Sequence, residues 1–280
     1  MFKINTQQKV YYTLRIASAL CFIGHGLFGV ITKPIWCNYF AVFGIGHQLA
    51  YQLMPLVGYV DILCGIVILV YPIRAVVGWL VVWGFITALL RPLSGEPFFE
   101  FLERFGNFGA PLALLIVSGG IRQNAKDLFS PVIIKNSANG KTWASLMTVL
   151  RFAIFFLFLG HGLLNMTGKK ALLNQYMTLG FSDPIEMGWI IGVFEILAGL
   201  LVFIRPVRQL LLVLLIWKVT SELFYPKYEL FELVERSGSY GVILALWFAL
   251  ESASLRQIKS FLVRFQYYVN SISQPFKKYT

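Results

Sequence analysis

The chain has 280 residues, 58% of them hydrophobic and only 13% charged, with a mean hydropathy of +0.70. Soluble domains carry roughly a quarter of their residues as charges, so this composition excludes a soluble enzyme, a secreted disulfide scaffold and a disordered chain. The fold class that remains is an all-α, polytopic membrane protein.

Hydrophobic stretches predict spans near 11–31, 53–71, 74–90 and 98–119, then near 146–166, 186–204, 207–224 and 230–250. Each needs roughly 20 residues at 1.5 Å per residue. Between the first two lies an aromatic, nearly uncharged segment, 34–46, expected as a short helix at the outer interface, with His47 exposed after it. The last span has an uncharged run of 14 residues, 237–250, too short to cross. Its helix must therefore reach back through Arg236, Glu235 and Glu232, and Glu100, Glu103 and Arg104 hold the same places in the fourth span.

The chain repeats itself. LRIASALCFIGHGL from Leu14 matches LRFAIFFLFLGHGL from Leu150 at eight of 14 positions, including Arg15, Gly24, His25 and Gly26. GYVDILCGIVILVYPIR from Gly58 pairs with GVFEILAGLLVFIRPVR from Gly192 at an offset of 134, and FEFLERFGNFGAPLAL from Phe99 with FELVERSGSYGVILAL from Phe231 at 132. Asn38 and Gly44 recur as Asn174 and Gly180. Low-complexity hydrophobicity does not preserve Arg, His, Pro and Glu-Arg in one order, so the gene was duplicated. With four spans each, both halves enter the membrane the same way. The expected units are a first repeat, 1–119, a cytoplasmic linker, 120–145, a second repeat, 146–251, and a basic cytoplasmic tail, 252–280. Together they predict eight transmembrane helices as two parallel four-helix bundles.

The net charge of +11 reads as topology. Sixteen of the 24 Lys and Arg fall on the face that holds both termini, and nine acids fall on the other. By the positive-inside rule both termini are cytoplasmic, in an integral membrane protein expected in a bacterial inner membrane. The lipid bilayer explains the charge, and no nucleic-acid partner is needed. The first helix lacks a small-x-small cleavage site and recurs at Leu150, so it is not a signal peptide. The terminal KKYT has the form of a dilysine retrieval signal. Cys21, Cys37 and Cys64 have no metal-finger spacing; Cys21, four residues before His25, is expected as a small buried hydrophobe, and no metal site is expected.

Depth arithmetic gathers the polar residues. His25 lies about 21 Å along its helix from Tyr11, and Asp61 about 12 Å below the outer surface. His161 and Glu195 repeat them. Ionisable groups at the bilayer centre cost at least ~2.5–3.5 kcal/mol, so each histidine is expected to face the acid of its own half. The glycines of GHG let a helix backbone approach the imidazole. Glu100–Arg104, Glu232–Arg236 and Lys218–Glu222 have the i,i+4 spacing of self-neutralising pairs. Lys218 and Glu222 stand where the first half has Gly84 and Ala88, which makes the second half the richer set and the expected site if only one half is active.

The segment LGFSDPIEMGWIIGVFEILAGLLVFIRPVRQL resembles the DoxX/DoxD family: a Leu-Gly-hydrophobic turn, a helix with an acid before Ile-Leu-x-Gly, then a Pro/Arg turn. The first half, from Gly44 through Arg74, is a looser version with Asp61 as its acid. Family members are usually single four-helix units; the fused layout is more like that of the Surfeit cargo-receptor relatives. The resemblance implies redox chemistry of sulfur or thiols, a membrane-associated oxidoreductase as partner and quinone as a cofactor.

On that reading His161, Glu195, His25 and Asp61 are the candidate catalytic residues, and Lys218, Glu222, Arg236 and Arg104 the groups around a bound cofactor. A haem between His25 and His161 is a variant of it. The competing readings are a proton-coupled or lipid transporter using Asp61 and Glu195, a lipid isomerase with a buried acid, and a non-catalytic anchor or cargo receptor.

Overall fold

The computed structural model describes residues 5–120, 125–134, 140–224 and 229–251. Among the described residues every regular element is a helix, apart from one isolated bridge between Ile73 and Pro131. The first half comprises α1 (Thr6–Val30), α2 (Trp36–Ala41), α3 (His47–Val70), α4 (Arg74–Leu93), α5 (Phe99–Glu103) and α6 (Phe105–Val117). After α7 (Ala125–Leu128) in the linker come α8 (Gly140–Met166), α9 (Lys170–Thr178), α10 (Pro184–Ile204), α11 (Arg208–Leu223), α12 (Glu229–Glu235) and α13 (Ser237–Glu251). The basic tail and its KKYT end lie outside the described residues.

Five helices, α1, α3, α4, α8 and α10, are long and apolar enough to cross a membrane. Large side chains such as Leu56, Leu63 and Val70 on α3 and Leu197, Leu201 and Ile204 on α10 face outward, as suits helices bathed in lipid. The chain is a multi-pass membrane protein. α11, at 16 residues, is shorter than a span. The fourth stretch of each half, expected as one helix, is broken in two, at Arg104 and at Arg236. At Arg104 the backbone turns to φ −91°, ψ 13°, and the next amides bond back over a single turn, Asn107 N to Arg104 O at 3.0 Å. The break aims a charged side chain inward from each turn.

Beyond the breaks, α6 and α13 touch where Gly106 and Gly238 meet; a Cβ on Gly238 would stand 2.7 Å from the Gly106 carbonyl oxygen. These are equivalent positions of the two repeats, so the pseudo-twofold axis of the duplication passes here. The halves interlock around it: α5 packs against α8, and α12 against α1. One core, including Leu14, Leu114, Leu150, Ile154 and Val242, runs through both. The division between the repeats is therefore not a packing boundary.

The recurring motif residues have structural roles. On α3 the buried stripe Met54, Gly58, Asp61, Gly65, Ile68 faces α1, and its counterpart on α10 is Gly188, Gly192, Glu195, Gly199, Val202. Arg15 reaches the last carbonyls of α3, bonding Ile68 O at 2.8 Å and Leu69 O at 2.6 Å. Arg151 does the same for Phe203 O and Ile204 O on α10, so each arginine satisfies carbonyls that a helix end leaves without partners. Gly44 and Gly180 both sit at positive φ, 72° and 88°, where a side chain is strained. At one end of the molecule Lys9 pairs with Glu251 at 2.8 Å and the Tyr11 hydroxyl donates to Val132 O at 2.6 Å. The start of α1, the linker and the end of α13 thus share that end, opposite the polar site.

Candidate functional site

Both GHG motifs place an imidazole between two close backbones. A Cβ on Gly24 would land on the backbone nitrogen of Glu235 in α12, and one on Gly26 on the carbonyl of Gly58 in α3. Gly160 and Gly162 stand in the same relation to Glu103 in α5 and Gly192 in α10. His25 is thereby wedged against Asp61, its Nδ1 donating to Oδ2 at 2.7 Å. His161 Nδ1 donates to Glu195 Oε2 at 2.6 Å. Each histidine faces the acid of its own half, as the depth argument predicted.

The two dyads differ in their surroundings. Glu195 is fully buried and saturated: the Trp217 indole donates to Oε1 at 2.9 Å and Asn165 Nδ2 to Oε2 at 3.2 Å, with the Tyr176 hydroxyl on Asn165 Oδ1. In the first half Asp61 Oδ1 is buried with no hydrogen-bond partner, and so is the indole nitrogen of Trp83, the counterpart of Trp217. Aspartate is one methylene shorter, and the bond that closes the second half is missing from the first.

Between the dyads lies an ion-pair cluster. Glu103 is its hub, accepting from Arg236 Nη1 at 2.6 Å and Arg104 Nη1 at 3.2 Å, with Lys218 Nζ 3.7 Å and His161 Nε2 3.9 Å away. Lys218 pairs with Glu222 at 2.8 Å and Arg104 with Glu100 at 2.5 Å, as their spacing predicted. The third pair is corrected: Arg236 crosses to Glu103 of the other repeat, and Glu232 takes Lys33 at 2.7 Å. The turn that breaks the helix at Arg236 is what lets its side chain cross. Glu103, His161 and Glu222 bring three donor atoms within 4.8 Å of one another, a spacing that would suit a cation; the Arg236 and Lys218 side chains already neutralise both carboxylates.

A cavity of about 110 Å³ opens in the first half. Trp36, Tyr39, Phe43 and Trp83 give it aromatic walls, and His25, Arg91, Arg104, Asn107 and Glu235 its polar ones. The His25 ring lies 4.7 Å from that of Trp36. Burial pushes the Tyr39 phenol well up from its ordinary value, so it stays a donor, and it bonds Glu96 Oε1 at 2.5 Å. Arg104 Nε and Asn107 Oδ1 are buried without partners.

Of the residues singled out in sequence, His25 and Arg104 stand on this wall, and Asp61 sits behind His25. His161 and Glu195 form the second, closed dyad; Lys218, Glu222 and Arg236 belong to the ion-pair cluster and are not on the cavity wall. The second half, the richer set, has its extra charges paired with one another, while this cavity lies in the first half. A haem bridging His25 and His161 does not fit, because α12 flanks His25, α5 flanks His161, and Glu103 stands before His161 Nε2. Sequence reasoning missed Trp83, Asn107, Arg91 and Tyr39. Only Trp83 had left a signal, through its recurrence as Trp217 at the same offset as the acids.

No family model matches the chain, and no curated protein or solved structure is detectably similar to it.

Proposed function

We propose that this is a membrane redox subunit which holds a quinone head group in the first-half cavity. The observation that carries the reading is an aromatic-walled space with a carboxylate-backed histidine on its edge. An apolar cavity of about 150 Å³ admits benzene, so about 110 Å³ is the scale of a single ring. The unpartnered Arg104 Nε, Asn107 Oδ1 and Trp83 indole offer such a ring oriented hydrogen bonds.

A quinone, when bound, supplies a two-electron carrier whose ring oxygens take up two protons. The side chains do the rest. Asp61 fixes the His25 tautomer by accepting from Nδ1, which leaves Nε2 to exchange a proton with a guest oxygen. Arg104 and Arg91 place positive charge where negative charge develops on that oxygen. The Trp and Phe walls keep water out. Electrons pass to or from a membrane-associated oxidoreductase, the partner that the DoxX-like motifs imply.

In this reading the chain crosses the membrane eight times, as two parallel DoxX-like repeats. α5–α6, α11 and α12–α13 supply the crossings beyond the five long helices, with their charged ends at the outer surface. Both termini are cytoplasmic, as the basic residues at that end support, and the membrane is a bacterial inner membrane. The transport reading shares the parallel repeats, but it would have to part the Glu103–Arg236 and Lys218–Glu222 pairs that seal the space between the dyads.

The test is mass spectrometry of the lipids that co-purify in mild detergent. Wild type and a His161→Ala, Glu195→Ala variant should both carry quinone, and a His25→Ala, Asp61→Ala variant should not. Wild type free of quinone, in a host that makes it, would refute the assignment.

A further inference from the structure

The two halves share a backbone plan but differ at the wall of the cavity. On α4 the inward positions are Trp83, Gly84, Thr87 and Ala88; on α11 their counterparts are Trp217, Lys218, Ser221 and Glu222. Ala88 and Thr87 line the open cavity. Gly84 stands beside the cavity and off its wall, where a Cβ would fit tightly, 3.2 Å from Phe22 Cζ and 3.3 Å from the Asn107 carbonyl oxygen. In the second half two long side chains project from these same positions, 0% and 3% exposed.

Their partners are equivalent to the cavity's own polar wall. Lys218 Nζ stands 3.7 Å from Glu103, whose counterpart is Glu235; Glu222 Oε2 stands 4.0 Å from Arg236 Nε, whose counterpart is Arg104. Glu235 and Arg104 both face the cavity; Arg104 Nε has no hydrogen-bond partner, and neither has its counterpart Arg236 Nε.

We propose that Lys218 and Glu222 are a built-in plug which occupies, in the second half, the place a ring takes in the first. The plug is also a template of that guest. It sets a cation 3.7 Å from one glutamate and an anion 4.0 Å from one arginine, ion pairs too long for hydrogen bonds; a ring hydroxyl in the first half meets the same two charges, donating toward Glu235 and accepting from Arg104. The favoured ligand is the phenolic, reduced form of the carrier rather than its dicarbonyl form. This rests on the quinone reading for the identity of the ring, but not for the existence of the site.

The experiment is equilibrium binding to the purified full-length protein, read by quenching of tryptophan fluorescence. The probes are 1,4-hydroquinone under reducing conditions, its oxidised form 1,4-benzoquinone, and plain phenol. Wild type should bind one hydroquinone, at least tenfold more tightly than the oxidised form. Ala88→Leu, which fills the first cavity, should weaken binding tenfold or more. The paired change Lys218→Gly, Glu222→Ala copies the first half and leaves net charge unchanged; it should raise the stoichiometry from one to two. Lys218→Ala, Glu222→Ala serves the same purpose if glycine unsettles α11. Lys218→Met, Glu222→Gln fills the space without charge and should stay at one.

Hydroquinone bound once by wild type and once by both opened variants would overturn the plug and leave the quinone reading standing. Phenol bound and hydroquinone refused would keep the site and remove the quinone reading. Binding of neither, or binding indifferent to Ala88→Leu, would overturn both.

Discussion

Glu103 is the residue on which the interlocked halves depend most, and its replacement by glutamine measures that dependence. Its carboxylate accepts from Arg236 at 2.6 Å and Arg104 at 3.2 Å and is 1% exposed. Breaking a buried pair by neutralising one partner costs about 3–5 kcal/mol, chiefly because the other charge stays buried without compensation. Glu103→Gln should lose that much, since among the described residues Arg236 would then have just one acid within 4.0 Å, Glu222. Arg236→Gln should lose a similar amount. The double variant leaves neither charge orphaned, so its loss should fall short of the sum by about 2 kcal/mol or more. Denaturant unfolding of the four proteins in one detergent, followed by circular dichroism, gives all corners of the cycle. Glu235→Gln is the control: among the described residues Glu235 has no ion pair within 4.0 Å, so it should cost less than half as much as its counterpart. Single losses below about 1 kcal/mol, or additive ones, would show that the central pairs do not hold the halves together.

Removing the carbonyl caps, by Arg15→Gln or Arg151→Gln, should cost about 1.5–3 kcal/mol each, the range for hydrogen bonds to a charged group, in the same unfolding assay. Gly24→Ala and Gly160→Ala each drive a methyl into a backbone nitrogen across the helix pair; each should lose about 1–3 kcal/mol, and near-equal losses would be the signature of the repeat. Gly44→Ala meets open space but keeps φ at 72°, so it should cost about 1–2 kcal/mol from backbone strain alone, with no change in ligand binding.

The duplication made much of this legible. Motifs that recur 132–136 residues apart had to have the same neighbours, and the His–acid pairs, the GHG approach and the positions of Glu103 and Glu235 follow from that. What symmetry could not show is how the halves close on each other. The breaks at Arg104 and Arg236 carry no proline or glycine at the turn itself, and the charges that mark them read equally well as the polar end of one continuous helix; only the structure shows that α5 packs on α8 and α12 on α1. The cavity was hidden for a related reason. Charged residues announce themselves in a sequence, whereas space is made by residues such as Thr87 and Ala88 that announce nothing. Weighing the halves by their polar content pointed to the side whose polar groups pair with one another.

A methylene and a hydrogen-bonding amide separate the two dyads: Asp61 stands for Glu195, and Gly29 for Asn165. Asp61 and Glu195 hold their histidines at nearly the same distance, 2.7 and 2.6 Å. The longer acid also reaches the indole of Trp217, and with Asn165 and Tyr176 it becomes part of a saturated network. Saturated buried networks are rigid and resist exchange of partners. The shorter acid leaves its second oxygen and the Trp83 indole unpaired, a buried arrangement that costs free energy unless something supplies the bond. Such a defect is tolerated in one half and absent from its copy, and it stands beside His25, which lines the aromatic-walled cavity. Asp61→Glu should therefore import the second half's closure into the first: the lengthened carboxylate accepts from the Trp83 indole, stability rises, and affinity for the ring falls. If stability rose with binding unchanged, the unpaired groups would have no part in holding the guest.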